Sequence, residues 1–282
     1  QHRIASLENY NSSTPFYLNV TIFIDMDIED QAMVFSTINL SQTKVSKSLV
    51  YDLYDYAKSP SPQKTAHNIA KLLNRKEDSP FFGRIKILGK AEGKEEIITQ
   101  AAFVEGLLRH MSYPKKQQME DKDMMKRKKP IKDIPNLIFR KAMSSGKEAA
   151  IAVCIFNYFK AIQNRWPFAW KDIERQGNVL PRTAGFSSFM RLLKDIPLPY
   201  EGLLENIIPS IKDYETFITR IDLTDDDFSS ETYKPGFSGY KGKEFDQTLM
   251  TRIIQGAFQS RSAVFRLRSP ACPWYEMRMC VS

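Results

Sequence analysis

Apolar and polar residues alternate along the chain from Phe16 to Met26, which is the pattern of a β-strand with one buried face. Asp27 follows this run and is placed to cap a helix that we expect from Ile28 to about Asn39. The same reasoning gives the other elements of the first 112 residues: helices over 49–57 and 61–73, a hairpin of strands 82–88 and 95–98, and a helix over 99–111. This part of the chain is therefore predicted to mix short strands with helices.

Beyond residue 133 the apolar residues recur almost wholly at helical spacing. A broad apolar stripe within 149–162 requires partner helices, so we expect a helical bundle. Further helices are predicted over 183–193, 202–221 and 244–258, with Pro209 kinking or splitting the second of these. The pattern predicts an α+β protein in which residues 1–112 form a mixed core and residues 134–259 form a mainly helical region.

Residues 113–133 separate these two parts and differ from both in composition. Eight basic and four acidic side chains lie between Lys115 and Asp133, with few apolar residues. We interpret the segment as a basic linker or exposed loop. Residues 260–282 have no periodicity and are interpreted as an irregular tail or as a reading-frame artefact.

The composition is that of a folded protein with an excess of positive charge. The 282 residues are 42% hydrophobic and 26% charged, which excludes a wholly disordered or collagen-like chain. A net charge of +8 favours an anionic partner. Three cysteines without metal-ligand spacing exclude a disulfide framework and favour a cytoplasmic location. The longest apolar runs are far shorter than a membrane span, so we expect a soluble protein without a membrane partner.

Two lysine-rich segments are candidate DNA-binding sites. The first lies in the basic segment, and its candidate residues are Lys115, Lys116, Lys126, Arg127, Lys128 and Lys129. The second is the glycine-rich loop 236–243, in which Lys241 and Lys243 precede a predicted helix. This loop is not a Walker A motif, because its glycine spacing differs and Glu244 replaces the Ser or Thr that binds Mg²⁺. Lysines that contact phosphate and lysines that are simply hydrated remain alternatives in both segments.

The first three residues, Gln1-His2-Arg3, are followed directly by a predicted helix. Unpaired N–H groups and the positive end of the helix dipole make such a position suitable for phosphate. An imidazole and a guanidinium would add hydrogen-bond donors and charge. From spacing alone, a polar first helical turn without a special role explains these residues better.

Two sequence blocks resemble a known family. The string Gln-His-Arg-Ile-Ala-Ser-Leu at 1–7 resembles the end of the Asp-Gly-Gln-His-Arg signature of the DGQHR-domain family. The block 35–49 resembles that family's arrangement of a Phe, an Ile-Asn pair, a nearby Gln and a Val-Ser-x-Ser-Leu ending. The likeness covers about residues 1–73 and is looser beyond them. Because the Asp-Gly half is missing, we expect the reading frame to start upstream of Gln1.

The resemblance implies a ParB/sulfiredoxin-like fold and a place among DndB-like proteins of bacterial DNA modification, such as phosphorothioation. It implies that His2 and Arg3 contact nucleotide phosphates and act as catalytic residues in an Mg²⁺-dependent hydrolysis of ATP or another NTP. The rest of the implied phosphate site is formed by Gln1, Asn39, Gln42 and Lys44. Gln42 stands where ParB has an arginine, which argues against ParB-like CTP switching.

Other candidate residues are explained by ordinary structural roles. Asp25 and Asp27 could approach a metal, but capping explains Asp27 as well, and the metal ligands stay unknown. His67 and His110 lack a second ligand at metal spacing and are expected to be structural or surface residues. Cys154 lies on an apolar helix face and is expected to be a buried thiol.

Three functions remain open from the sequence. The first is binding and hydrolysis of a nucleotide close to DNA, and the second is a non-enzymatic DNA-binding regulator or assembly subunit of a modification system. The third is a scaffold whose helical region docks a protein partner. We find no zinc finger, basic zipper or clear helix-turn-helix, so no DNA sequence specificity is predicted.

Overall fold

The computed structural model describes residues 17, 20–27, 30, 31, 34, 46–55, 57, 59–87, 93, 95–175 and 177–228. Its α-helices are α1 (Lys47–Asp52), α2 (Pro62–Arg75), α3 (Gln100–Met111), α4 (Lys115–Lys126), α5 (Arg140–Ser144), α6 (Glu148–Arg165), α7 (Pro167–Lys171), α8 (Thr183–Leu193) and α9 (Ile211–Ile218). Strands β1 (Ile85–Lys86) and β2 (Ile98–Thr99) form a small sheet. Short 3-10 helices are Leu53–Asp55, Tyr200–Glu205 and Asp225–Phe228. The described residues thus have a mainly helical α+β arrangement.

Helix boundaries follow local capping signals in the sequence. The Ser61 side chain accepts a hydrogen bond from the Lys64 amide at the start of α2, and Thr99 caps α3 in the same way. The predicted division near Pro209 is also confirmed, because Ser210 begins α9 with a reciprocal capping box. None of the helices in the described part of the chain has the length and apolar content needed to cross a bilayer.

The prediction of a hairpin from strands 82–88 and 95–98 is wrong, because the two strands run parallel and not antiparallel. β1 and β2 pair in parallel, with Ile85 opposite Ile98, and each described strand has only two residues. Both isoleucines are fully buried, so the pairing places both in the core beside α3. An apolar run predicts burial, but it does not fix strand direction, and here the burial of both side chains decides the pairing.

The predicted strand 16–26 is not found among its described residues. Residues 20–23 have no regular structure, and Val20, Ile22 and Ile24 are 70%, 79% and 85% exposed. Asp25 has a left-handed backbone with φ of 53°, which bends the chain where the alternating pattern would continue. No described segment pairs with these residues, and a strand without a partner leaves its backbone groups in water. Beyond it, the described residues 30, 31 and 34 are helical, and the remainder of predicted helix 28–39 lies outside the described residues.

The predicted linker or loop at 113–133 contains a helix instead. Twelve residues form α4, and its Asp121 is buried against α5. The sequence did not indicate this helix because it has almost no apolar stripe. The buried ion pair between Asp121 and Arg140 fixes it to the core. The predicted helix 244–258 and the tail 260–282 lie outside the described residues.

A cluster of aromatic rings joins α3, α6 and α8. The Phe81 ring centroid lies 5.0 Å from that of Phe103 and 4.8 Å from that of Phe159. Phe186 stacks on Phe103 at 4.8 Å. Buried residues on both sides of segment 113–133 belong to the same hydrophobic cluster. The segments that flank α4 therefore pack on one core.

We expect Gly185→Ala to destabilise the protein by about 2 kcal/mol or more, because α8 starts too close to the preceding turn for a larger residue. A Cβ at Gly185 would lie 2.6 Å from the Val179 carbonyl oxygen, which is backbone and cannot rotate away. Denaturant unfolding followed by circular dichroism measures the change. The matched control is Gly93→Ala, where an added Cβ meets nothing within 4 Å. Equal stability of the two variants would contradict this account.

Candidate nucleic-acid interface

Helix α4 is fixed to the core by a buried ion pair between Asp121 and Arg140. Nη1 and Nη2 of Arg140 each lie 2.7 Å from an Asp121 carboxylate oxygen, in a bidentate arrangement. The two side chains are 2% and 1% exposed. Ser112 Oγ and Gln117 Nε2 also donate to Asp121. The carboxylate therefore accepts hydrogen bonds from three side chains, which offsets much of the cost of its burial.

Arg140 also binds the backbone both before and after α4. Arg140 Nε donates to the Lys132 carbonyl oxygen at 2.7 Å, and Nη1 also donates to the Met111 carbonyl oxygen at 3.1 Å. Between these points Lys128 adopts a left-handed backbone with φ of 55°. The Lys129 amide donates to Met124 O at 2.9 Å, which closes the end of α4. Lys128 and Lys129, which follow α4, therefore have a defined backbone conformation.

The basic side chains of this region divide into paired and unpaired groups. Lys122 and Lys126 bind Asp30 and Asp27, each at 2.6 Å, and Arg127 binds Asp123 at 3.0 Å. Five exposed lysines have no ion pair with any described carboxylate: Lys115, Lys116, Lys128, Lys129 and Lys132. We call these five lysines the basic surface. Four of them were predicted from the sequence, whereas Lys126 and Arg127 must exchange a carboxylate for a phosphate before they can contact DNA.

All six residues of the predicted phosphate site lie outside the described residues: Gln1, His2, Arg3, Asn39, Gln42 and Lys44. Lys241 and Lys243 of the second lysine-rich segment also lie outside them. Asp27 is described, and its carbonyl oxygen accepts the Gln31 amide at 2.9 Å, as at the start of a helix.

A histidine and two aspartates meet between α1 and α2. His67 Nε2 lies 2.8 Å from Asp55 Oδ1, and its Nδ1 lies 2.8 Å from Gln100 Nε2. Potential ligand atoms of Asp52, Asp55 and His67 lie within 4.8 Å of one another. Sequence reasoning missed this group because the aspartates and the histidine belong to different helices and follow no ligand motif.

The donor set suits a divalent cation, but its present hydrogen bonds favour an ion-paired cluster. Lys71 Nζ lies 2.5 Å from Asp55 Oδ2, so both oxygens of this carboxylate already have a donor. Burial raises the pKa of Asp55, but the hydrogen bonds from Lys71 and His67 outweigh burial, and the pKa is lowered overall. A metal ion would have to displace Lys71 and the proton between His67 and Asp55. We therefore assign His67 a structural role, as predicted.

Two other residues singled out in the sequence are also buried and structural. His110 Nε2 lies 2.7 Å from the Met190 carbonyl oxygen. Cys154 Sγ lies 2.9 Å from Tyr214 Oη, and burial raises the pKa of this thiol to about 12. A thiol with so high a pKa is a poor nucleophile, which confirms the prediction of a buried structural cysteine.

Comparison with known proteins gives no relative. No protein-family model, no curated protein and no solved structure matches the chain.

We expect Arg140→Met to lower the free energy of unfolding by about 3–5 kcal/mol, because the variant buries an unpaired Asp121 carboxylate. Urea unfolding of the variant and the unchanged protein measures this loss. The control is Arg127→Met, which removes an exposed arginine from its ion pair with Asp123 on the same helix and should cost less than about 1 kcal/mol. A similar loss in both variants would show that the buried pair does not fix α4.

We also expect stability to depend on the protonation of His110. Burial lowers its pKa to about 4, with Lys194 and Arg109 adding repulsion, although the bond to Met190 O opposes the shift. The unfolded chain therefore binds a proton below about pH 6.5, whereas the folded protein does not. Unfolding free energy should fall by up to about 1.4 kcal/mol per pH unit as pH drops from 6.5 toward 4.

The measurement is urea unfolding at several pH values for the unchanged protein and for His110→Gln. The glutamine variant should lose this part of the pH dependence, whatever its stability at neutral pH. Parallel pH profiles of the two proteins would show that His110 does not titrate in this range.

Proposed function

We propose that this protein binds DNA through backbone phosphates contacted by its basic surface. The observation that carries this proposal is that five exposed lysines without an ion pair to any described carboxylate lie on a helix and turn held by the buried Asp121–Arg140 pair. Lysines on a flexible loop would lose more conformational entropy on binding than lysines on a fixed backbone. Phosphate neutralisation by such side chains is the main source of sequence-independent affinity for DNA.

The arrangement of charge along α4 supports a long anionic partner. A helix of 12 residues is about 18 Å long. Lys115 and Lys116 lie at its N-terminal end, where the helix dipole also favours anions, and Lys128 and Lys129 follow its C-terminal end. DNA carries one negative charge for about every 1.7 Å of its axis, so a duplex presents phosphates to both ends together. Glu120, which is exposed on the same helix, reduces the field without pairing with these lysines.

The likeness to the DGQHR-domain family gives this binding a biological setting. A DndB-like protein of a bacterial DNA-modification system, with a ParB/sulfiredoxin-like core, would use such contacts as a DNA-binding regulator or assembly subunit. In an enzymatic version, His2 and Arg3 would hold the phosphates of an Mg²⁺-bound nucleotide, and Asn39 would orient a phosphate or the metal-bound water. DNA binding is the version that the described residues support best, because its lysines are among them.

We expect the protein to bind a short DNA duplex of arbitrary sequence, with affinity that falls steeply between about 50 and 200 mM salt. The double variant Lys128→Gln/Lys129→Gln should bind more weakly. It should also reduce the slope of log affinity against log salt by about 2, because each phosphate contact contributes about one unit. Fluorescence anisotropy with a labelled duplex measures both quantities.

The matched control is Lys147→Gln/Lys212→Gln, which removes the same charge from positions outside the basic surface. This control should lower affinity only slightly and leave the slope nearly unchanged. Equal losses in the two double variants would show that net charge, rather than the basic surface, attracts DNA. Absence of binding at the lowest salt would refute the proposal.

A further inference from the structure

A cleft of about 500 Å³ lies where β1 meets helices α6 and α7, apart from the residues of the basic surface. Three of its lining residues are cationic: Arg84, Lys160 and Lys171. Trp170 and Pro167 provide its apolar wall. We call this the cationic cleft, and its volume is that of a pocket for a small molecule.

Arg84 is held in one orientation within the cleft. Its Nη1 donates to the Trp170 carbonyl oxygen at 2.9 Å, and its guanidinium lies over the Trp170 ring at 5.3 Å from the centroid. Burial lowers the pKa of Arg84, with the charge of Glu95 acting in the opposite direction, yet a guanidinium stays charged in proteins. The other N–H groups of this fixed cation have no hydrogen-bond partner among the described residues and could donate to an anion.

Little negative charge opposes the three cations. Neither Lys160 nor Lys171 forms an ion pair with any described residue. The charge of Asp78 is balanced by Lys76 at 2.8 Å, whereas Glu215, which accepts a hydrogen bond from the neutral amide of the lining residue Asn164 at 2.8 Å, keeps its negative charge. The charge of Glu95 also acts on Arg84. The three cations outnumber these two carboxylates, so the described residues give the cationic cleft a net positive charge.

Two polar atoms of lining residues have no hydrogen-bond partner in the described part of the chain. Gln163 Oε1 and Trp170 Nε1 are both buried without a partner. The amide of Gln163 can rotate and present its NH₂ group instead of its oxygen. An anion in the cleft could accept a hydrogen bond from Trp170 Nε1, or from the rotated Gln163 amide, and so supply a partner that the described residues do not provide.

We propose that the cationic cleft binds a small phosphorylated molecule, with Arg84, Lys160 and Lys171 contacting a phosphate or pyrophosphate group. Three cations that line one cleft carry more positive charge than a single carboxylate would balance, and they suit a group with two or more negative charges. The planar fork of Arg84 supplies paired donors, and the two lysines supply adaptable charge. Trp170 and Pro167 would contact the uncharged part of the ligand.

Isothermal titration calorimetry of the full chain with inorganic pyrophosphate tests this site at low salt. The unchanged protein should bind pyrophosphate more tightly than citrate, which carries comparable charge on carboxylates. Lys160→Gln/Lys171→Gln should weaken pyrophosphate binding about tenfold or more, since two charged contacts are lost. Arg84→Lys keeps the charge but loses the fork, and it should also weaken binding.

Lys147→Gln/Lys194→Gln is the charge-matched control and should bind pyrophosphate as the unchanged protein does. Circular dichroism establishes that each variant is folded, and Lys171→Gln alone, at an exposed position, serves if the double variant unfolds. Equal binding by the double variant and the control, or equal affinity for citrate, would overturn the proposal. Pyrophosphate that is displaced by a DNA duplex would assign the cleft to backbone phosphate and overturn the small-molecule site. Because this test does not involve the basic surface, it can fail while DNA binding there stands.

Discussion

The ion pair between Arg140 and Asp121 holds in place the helix and turn that carry the basic surface. Removing two such charges from water costs several kcal/mol for each ion, so the pair is tolerable only because nearly every donor and acceptor is used. Asp121 accepts from Arg140, Ser112 and Gln117, while Arg140 also reaches the carbonyl oxygens of Met111 and Lys132. These contacts join the end of α3, the middle of α4 and the segment before α5. A segment whose composition would suit a hydrated loop therefore forms a helix with a fixed surface.

The lysines of α4 and of the segment that follows it fall into two groups, which their partners distinguish. Lys122 and Lys126 bind Asp30 and Asp27, which ties α4 to a segment well before α1 in the chain. The five lysines of the basic surface are exposed and have no described carboxylate partner. The first group is largely neutralised in the folded protein, and only the second can release bound counterions from DNA without breaking an internal contact. Counting basic residues in the sequence overstates the charge that is available to a partner.

Local chemistry predicted several helices well because a cap acts over three or four residues. Ser61 and Thr99 cap α2 and α3 as expected, and α8 begins and ends where its apolar spacing indicated. Ser210 caps α9 after the break expected at Pro209, whereas the short helices α5 and α7 were not predicted. The failures involve contacts between distant residues. The parallel β1–β2 pair depends on the joint burial of Ile85 and Ile98, and α4 depends on a residue 19 positions away from Asp121. The Asp55–His67 contact has the same origin, since no spacing rule links residues on two separate helices.

The cationic cleft illustrates why binding chemistry can remain invisible in a sequence whose helices are predictable. Arg84 follows α2, whereas Lys160 and Lys171 belong to α6 and α7, and none of the three stands in a basic run. They meet because the aromatic cluster around Phe81 and Phe159 packs Trp170 beneath Arg84. Such packing brings like charges together at an energetic cost, whereas a dispersed surface would avoid it. An anion that binds the folded cleft and not the unfolded chain lowers this cost, so ligand binding and stability are linked at this site.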